Sequence, residues 1–418
     1  MLCRHVFYVT INIGDNMNKE ETKKILLDMF NTIEGTFEED KKTGAIMGHP
    51  NFYLLHSKEE LLTRVESFVN TKETFNRYDI YYFVKKTLKD YLTIYDTHTN
   101  IFLKTHLLPI DFKIINNKVY IRNITPEYNN LKYKECVAIN GIDIQNIISD
   151  IEKITVYPSI EYLNNIIEYF LNKTSYLLAL PCIKDDEEKL VFTTENKESI
   201  TFEISSKDSP QLFSKEDDNY NIKKVDNIVV CRYNSCKDNE KMIEMIKKLS
   251  ELEKQNNDLK YIIDIRSNGG GDSRVIKPLI SFLENKESVT LIDEKVYSSG
   301  IMAAIDLKNI NSYIIGTNLS TTINHFGNNL IRKEYNNLGL KVTSSTKLFM
   351  YNDEYKCHSF NKLTINEYFK TLNDIKKYDH ELFRPDEYVT FKIEDYQNNY
   401  DPQLARAIEY LKEKNLKR

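Results

Sequence analysis

Three adjacent glycines are the residues in this sequence that most clearly suggest chemistry. Gly269, Gly270 and Gly271 follow the segment Asp264–Asn268, in a chain of 418 residues that has only 12 glycines. Because each glycine adds conformational entropy to the unfolded chain, a run of three is a costly way to make a plain turn. The run indicates a backbone that must approach another group closely.

Two kinds of site use such a glycine loop. A phosphate-binding loop is excluded by spacing, because a G-x-G-x-x-G pattern that starts at Gly269 would need glycine where Arg274 stands. The Gly-Lys-Ser/Thr ending of a nucleotide-binding P-loop is also absent. The remaining candidate is an oxyanion hole, in which a glycine N–H points into a cleft because no side chain blocks it.

Two serines and two histidines are the other candidates for a site. Ser298 and Ser299 stand where a predicted strand gives way to a predicted helix. A serine there is commonly a helix N-cap, although a nucleophile would gain from the same position because a helix N-terminus stabilises negative charge. His98 lies at the end of a predicted helix, where it could be a helix cap or a general base. His325 follows the serine helix and could be an ordinary loop residue or part of a site. The residues alone leave these alternatives open.

Composition excludes several classes of protein. Lys and Arg total 57 against 62 for Asp and Glu, giving a net charge of -5 with both signs interspersed, so nucleic acid is not an expected ligand. The apolar runs are strand-sized, well short of the ~20 residues of a membrane helix. The six cysteines show no metal-ligand spacing, and no cofactor motif is present. With no secretory signal pattern at the N-terminus, we expect free thiols and a cytoplasmic protein.

Periodicity predicts the elements that position these residues. Residues 17–96 repeat apolar side chains at helical spacing, residues 101–141 alternate as strands, and helices are predicted near 142–154 and 159–171. A β-rich stretch is predicted over 176–230. From 225 to 315 strands alternate with helices, which predicts an α/β fold with a largely parallel sheet. A last helix covers 401–414, and residues 351–380, which show no clear period, are interpreted as an insertion.

Four segments together carry a family resemblance. They are Asp96–Thr99, which is similar to D-x-H-[ST], Val137–Gly141, which ends in I-N-G, Asp264–Gly271, which is similar to D-[LI]-R-x-N-x-G-G, and Tyr297–Gly300. In this order they resemble the serine peptidase family of the C-terminal processing (tail-specific) peptidases and the tricorn core protease. The resemblance implies a multidomain α/β protein with three parts: a helical domain over residues 1–100, a PDZ-like β module over 101–156, and a catalytic core over 157–418. The core would be a crotonase/Clp-protease-like spiral of ββα units.

The resemblance also assigns roles at the serine. It implies Ser298 as the nucleophile, with Ser299 as an alternative that differs by one residue. The N–H of Ser299, together with that of Gly270 or Gly271, would form the oxyanion hole.

The expected base depends on the branch of the family. The lysine of the tail-specific branch would fall near Thr322, where no lysine stands. This departure favours the tricorn-like branch, in which His98 is the base. Glu381 is the candidate that orients His98, with Asp379 as the alternative, and His325 is a candidate for substrate contact.

The resulting hypothesis is a cytoplasmic serine endopeptidase without cofactor or metal, acting on peptides or unfolded proteins and not on nucleic acid or at a membrane. Its PDZ-like module would deliver extended segments to the cleft, and homo-oligomerisation is left open. The main alternative is a catalytically inactive homologue that serves as a peptide-binding scaffold. A third hypothesis is an acyl-coenzyme A enzyme that uses the same kind of oxyanion hole, although the serines would then have no purpose.

Overall fold

Helices dominate the first part of the chain, as the periodicity predicts. The computed structural model describes residues 16–42, 44–184, 188–204, 219–256, 258–351, 356–374 and 382–416. The three helices here each begin with a capping box, which fixes their first turns. The elements of this part are β1 (Met17–Asn18), α1 (Lys19–Glu34), β2 (Gly35–Glu39), β3 (Ile46–Gly48), α2 (Lys58–Val69), β4 (Thr74–Phe75) and α3 (Arg77–Tyr91).

The middle of the chain combines strands with three helices. Its elements are β5 (Asn100–Leu103), β6 (Ile110–Ile115), β7 (Lys118–Ile124), β8 (Cys136–Ile139), β9 (Ile142–Asp143), α4 (Ile144–Lys153), α5 (Ile160–Leu171), α6 (Thr174–Leu178), β10 (Lys189–Thr194) and β11 (Ser199–Glu203). Four of the strands form a sheet in the order β11-β10-β8-β9. This sheet crosses the boundary predicted at residue 156. The stretch predicted to be β-rich over 176–230 contains β10 and β11, but the prediction is wrong at its start, because Tyr176 lies in helix α6, where it packs against Phe170 and Tyr81.

The rest of the chain contains the predicted alternation of strands and helices. Its first elements are β12 (Ile222–Val225), β13 (Ile228–Arg232), α7 (Asn239–Gln255), β14 (Lys260–Asp264), α8 (Lys277–Leu283), β15 (Ser288–Ile292), α9 (Ser299–Asn309) and β16 (Tyr313–Gly316). They are followed by β17 (His325–Gly327), β18 (Ile331–Tyr335), β19 (Leu340–Ser344), β20 (Lys347–Tyr351), β21 (Cys357–Phe360), α10 (Ile365–Asp374), β22 (Glu387–Tyr388), α11 (Ile393–Gln397) and α12 (Pro402–Leu416). The segment 351–380 therefore contains β21 and α10, which the sequence pattern did not predict.

A six-stranded sheet forms the centre of this part, in the order β12-β13-β14-β15-β16-β22. Only the β12–β13 pair is antiparallel among these strands, so the prediction of a largely parallel sheet is confirmed. Every residue of β14 is buried, and its side chains alternate between the two faces of the sheet. Tyr261 and Ile263 pack toward α7, α8 and α9, while Ile262 packs toward α12.

Two three-stranded sheets are also present, and one of them connects the halves of the chain. Strand β5 pairs with β19 in the order β18-β19-β5, and a second sheet has the order β17-β20-β21. The pairing of β5 with β19 brings the segment that follows His98 against residues more than 200 positions later. Within the described residues, no helix is long and apolar enough to cross a membrane.

Candidate active site

Ser298 lies in a strained turn at the N-terminus of α9. Its φ and ψ are 55° and -125°, values that a residue with a Cβ adopts only at a cost of order 1–3 kcal/mol. Strain of this kind is typical of a serine held with its hydroxyl directed out of a sharp strand-to-helix turn. The predicted junction is confirmed, with the loop 293–298 between β15 and the helix.

The glycine run is what allows this turn to exist. A Cβ placed on Gly270 would lie 2.8 Å from the Ser298 Cβ and 2.9 Å from the Ser299 nitrogen, and Gly270 also has a positive φ of 87°. A Cβ on Gly271 would lie 2.1 Å from the carbonyl oxygen of Cys236. Two of the three glycines are therefore required by close approach, and one of these approaches is to the candidate nucleophile itself.

The two serine hydroxyls are in different states. The Ser299 Oγ donates a hydrogen bond of 2.8 Å to the Gly271 carbonyl. The Ser298 Oγ makes no hydrogen bond to any residue that the structure describes, and it does not cap the helix that follows. A hydroxyl engaged with a backbone carbonyl is held in a structural role, so the geometry favours Ser298 over Ser299 as the nucleophile.

The amides near Ser298 differ in availability. The Gly270 N–H donates to the Asn268 Oδ1 at 2.9 Å, so it is not free to bind an oxyanion in this structure. The N–H groups of Gly271 and Ser299 have no hydrogen-bond acceptor in the described part of the chain. Of the two glycines predicted for the oxyanion hole, Gly271 thus keeps an available donor, and Ser299 adds the dipole of the α9 N-terminus.

Asp96 organises the turn that carries His98. One carboxylate oxygen accepts hydrogen bonds from the backbone N–H of His98 at 3.0 Å and of Thr99 at 2.8 Å, and from the Ser345 hydroxyl at 3.1 Å. The other accepts from the Nε2 of His49 at 2.7 Å. Burial raises the pKa of Asp96, but the hydrogen bond and charge of His49 and the bond from Thr99 outweigh it and lower the pKa to about 2. The carboxylate therefore fixes the backbone of His98 and leaves its imidazole free.

The His98 ring is enclosed by other rings. It stacks on Tyr297 with ring centroids 4.5 Å apart and on His325 at 5.9 Å. Neither ring nitrogen of His98 has a hydrogen-bond partner among the described residues, the Ser298 hydroxyl included. Burial, followed by the neighbouring His325, lowers the pKa of His98 to about 3, so its imidazole is neutral at pH 7.

His325 is buried beside His98. Its Nδ1 lies 2.8 Å from the Ile323 carbonyl, which can only accept, so Nδ1 carries the proton and Nε2 is the basic nitrogen. Burial lowers the pKa of His325 as well. The structure thus brings together two neutral histidines that the sequence placed more than 200 residues apart.

A cavity of about 700 Å³ opens beside these residues. His98, Tyr297 and Gly269 line it, together with Ser320 and Lys85. Gly269 is the member of the glycine run with open space around its Cα, since a Cβ there would meet nothing within 4 Å. Gly269 of the glycine run and the candidate base therefore line the same open cavity.

Some predicted site residues lie outside the described structure, and some residues of the site were not predicted. Glu381 and Asp379, the candidates to orient His98, lie outside the described residues. His49 and Tyr297 had no role in the prediction, although His49 stands in a conspicuous Gly-His-Pro-Asn turn and Tyr297 directly precedes Ser298. Tyr297 bonds the Thr97 hydroxyl at 2.9 Å and covers His98. No group of three or more His, Cys, Asp or Glu side chains suited to a metal occurs among the described residues.

The fold belongs to a class with solved representatives. The structure of mature CPAF complexed with lactacystin matches with a TM-score of 0.56 and 11% identity, over 91% of this chain and 97% of that chain. The expected multidomain α/β architecture is therefore the observed one, and the similarity concerns the fold.

Two further structures are similar over most of this chain at lower TM-scores. The photosystem II D1 C-terminal processing protease has a TM-score of 0.39 and 12% identity, over 88% of this chain and 93% of that chain. The tricorn protease also has a TM-score of 0.39 and 12% identity, over 95% of this chain and 37% of that chain. No family model matches the sequence, and no curated protein is similar to it in sequence.

Proposed function

We propose that this protein is a serine peptidase in which Ser298 is the nucleophile and His98 the general base. The observation that carries the proposal is the strained turn at Ser298, which packs against Gly270. The Ser298 hydroxyl is free in this turn, whereas the Ser299 hydroxyl is bound to the Gly271 carbonyl. A free hydroxyl next to two unengaged N–H groups is the minimum arrangement for acyl transfer.

The reaction follows from these groups. The neutral His98 imidazole takes the proton of Ser298 as the Oγ attacks the peptide carbonyl, and the N–H groups of Ser299 and Gly271 stabilise the oxyanion. His98 then gives the proton to the leaving amine as the C–N bond breaks, and water hydrolyses the acyl-enzyme by the same route. Because the His98 nitrogens lack partners, the bond from Ser298 to His98 must form when substrate binds, as catalytic hydrogen bonds often do.

Two further parts of the hypothesis remain predictions. A carboxylate from Glu381 or Asp379 would orient His98, and His325 would contact the substrate. The PDZ-like module predicted over 101–156 would add an extended segment of peptide or unfolded protein to a sheet edge. Strands β8 and β9 of this module share a sheet with β10 and β11, and the outer strand β11, which follows the predicted module in sequence, is a candidate for that pairing.

The second candidate function is a peptide-binding scaffold without catalysis. The observation that favours it is the absence of a hydrogen bond between Ser298 and His98 in the described structure. A scaffold would bind peptides in the same cavity but would neither hydrolyse them nor react covalently at Ser298.

Labelling with a fluorophosphonate probe separates the two functions. We expect the wild-type protein and the matched control Ser299→Ala to be labelled, Ser298→Ala to be unlabelled, and His98→Ala to react at least 100-fold more slowly. The control loses one hydrogen bond, worth about 1 kcal/mol, and should remain folded. Labelling of Ser298→Ala would contradict the assignment, and peptide binding by an unreactive wild type would favour the scaffold.

Lactacystin is a second probe for the same site. Because mature CPAF has been solved in complex with it, we expect the compound to reduce fluorophosphonate labelling of this protein in proportion to its occupancy of the site. Unchanged labelling at a saturating concentration of lactacystin would show that the compound does not occupy the site labelled at Ser298.

A further inference from the structure

Asp293 is a partly buried carboxylate that the proposed reaction does not use. It follows β15 directly and begins the serine loop, residues 293–298, which leads to Ser298. Among the described residues no cation pairs with its carboxylate, and the neighbouring Lys295 pairs with Glu168 at 3.1 Å instead. A carboxylate in this position must be stabilised by hydrogen bonds.

The hydrogen bonds to this carboxylate come from two loops. Oδ1 accepts from the Ser267 N–H at 2.7 Å, and Oδ2 accepts from the Ser267 hydroxyl at 3.0 Å. Oδ1 also accepts from the Lys295 N–H at 3.1 Å, within the serine loop itself. Because Ser267 lies in the glycine loop, residues 265–271, the Asp293 side chain joins the glycine loop to the serine loop.

Ser267 depends on such a partner because its backbone is strained. Its φ is 59°, in the left-handed region, which a residue with a Cβ adopts only where surrounding contacts hold it. The next residue, Asn268, is fully buried, and its carbonyl accepts from the Tyr297 N–H of the serine loop at 2.8 Å. The turn at Ser267 therefore sets the direction in which the chain enters the three glycines.

The two amides proposed for the oxyanion hole depend on different loops. Gly271 ends the glycine loop, and Ser299 directly follows the serine loop. The loops leave the neighbouring parallel strands β14 and β15 at the same edge of the sheet. Two N–H groups stabilise an oxyanion only if their spacing is fixed before the charge develops. The bonds of Asp293 fix that spacing where the two loops leave the sheet.

Asp293 occupies this position at an electrostatic cost. Burial, followed by the adjacent Glu294, raises the pKa of Asp293, and the hydrogen bonds from Ser267 act in the opposite direction. Glu294 has a partner of its own, because Lys113 lies 2.6 Å from its carboxylate. The donors of the two loops are therefore what stabilises the Asp293 carboxylate.

We propose that Asp293 is a positioning residue of the oxyanion hole, which holds the glycine loop against the serine loop so that the N–H groups of Gly271 and Ser299 converge. This inference rests on the proposed function, because it assigns those two amides to the oxyanion. Asp293 acts through the loops and does not touch the substrate. Its loss should slow the chemical step without weakening the binding that precedes it, since the amides act mainly in the transition state.

Saturation kinetics of fluorophosphonate labelling test the proposal. They give a maximal labelling rate and the probe concentration at half of that rate. Asp293→Ala removes all three hydrogen bonds, and a shift of about 1 Å at a reacting group costs about 100-fold, so we expect the maximal rate to fall roughly 10- to 100-fold. The half-saturating concentration should not change. Asp293→Asn keeps an acceptor for both N–H groups and can donate to the Ser267 hydroxyl, so it should label as the wild type does.

Asp386→Ala is the matched control. The Asp386 carboxylate accepts from the Ile314 N–H at 2.8 Å and pairs with Lys308, so it also joins separate segments of the chain, but not these two loops. This variant should lose stability and keep the maximal labelling rate.

A second variant covers the case in which Asp293→Ala does not fold. Ser267→Ala removes one of the three hydrogen bonds and should lower the maximal rate about 3- to 10-fold. A wild-type rate in a folded Asp293→Ala, or in Ser267→Ala if Asp293→Ala does not fold, would overturn the proposal. A rate in Asp293→Asn as low as that in Asp293→Ala would also overturn it, because the hydrogen bonds would then not be the cause.

Hydrogen exchange separates this inference from the proposed function, because it requires no reaction. The amides of residues 265–271 should exchange faster in Asp293→Ala than in the wild type, Asp293→Asn or Asp386→Ala. If the wild-type protein is not labelled but shows this pattern of exchange, the proposed function fails and the link through Asp293 stands. If the wild type is labelled, and Asp293→Ala is labelled and exchanges in the same way, the peptidase stands and the inference fails.

Discussion

Replacement of Gly270 by alanine tests whether the glycine loop holds Ser298 in place. The new Cβ would lie 2.8 Å from the Ser298 Cβ, whereas ordinary contact begins at 3.4 Å, so the serine turn or the loop must move by about 0.6 Å. A displacement of 1 Å at a reacting group costs about 100-fold, so we expect kcat/KM to fall roughly 10- to 100-fold.

The same substitution also affects stability. An L-residue at a left-handed φ costs about 1–2 kcal/mol, and overpacking adds about 1–3 kcal/mol. Gly141 provides the matched control, because it has a φ of 75° and a Cβ there would meet nothing within 4 Å. We therefore expect Gly141→Ala to lower the free energy of unfolding only by the cost of the left-handed φ, and to keep the activity of the wild type.

Two measurements decide the matter. Urea unfolding should rank the free energies of unfolding as wild type, then Gly141→Ala, then Gly270→Ala. Peptide hydrolysis or the rate of fluorophosphonate labelling should separate Gly270→Ala from the other two proteins. A Gly270→Ala protein with wild-type kinetics, or one as stable as Gly141→Ala, would refute the reasoning that this close approach positions the nucleophile.

Two predictions concern pH. The pKa of His98 is lowered by burial from 6.5 to about 3, so the unfolded chain takes up a proton that the folded chain refuses. His98 alone should therefore make stability fall by up to about 1.4 kcal/mol per pH unit between pH 6.5 and 3. Urea unfolding of His98→Asn should show a shallower slope than the wild type, and the slope that remains would come from groups such as His325, whose pKa burial also lowers. The pKa of Asp96 is lowered to about 2, so its contribution of about 2 kcal/mol should be complete above pH 4 and disappear as the pH falls from 4 to 2. Asp96→Asn should therefore be less stable than wild type at pH 7, and the difference should shrink only in that lower window.

The variants His98→Asn and Asp96→Asn serve as controls for one another. The slope that His98→Asn removes begins near pH 6.5, where Asp96 does not titrate in either state. An unchanged slope in His98→Asn would show that the imidazole is not buried in its neutral form. A stability difference for Asp96→Asn that persists undiminished at pH 2 would show that it does not come from the carboxylate charge.

Local pattern determined most of the elements. The continuous buried strand β14 and the helix α7 follow from apolar periodicity and capping, which act between residues close in sequence. The same rules failed at Tyr176, which lies in a helix because it packs against Phe170 and Tyr81. They also missed β21, an edge strand whose exposed residues carry no burial pattern.

The sequence by itself determined which residue types could do chemistry here: a glycine run, a pair of serines and His98, each in a recognisable local setting. Only the tertiary structure distinguishes the surroundings of the Ser298 and Ser299 hydroxyls, because the hydrogen bond of Ser299 goes to Gly271, 28 residues away. It also showed that Asn268 engages the Gly270 amide and that His49 binds Asp96. Which partner a polar group finds depends on segments that folding brings together, and no local pattern contains that information.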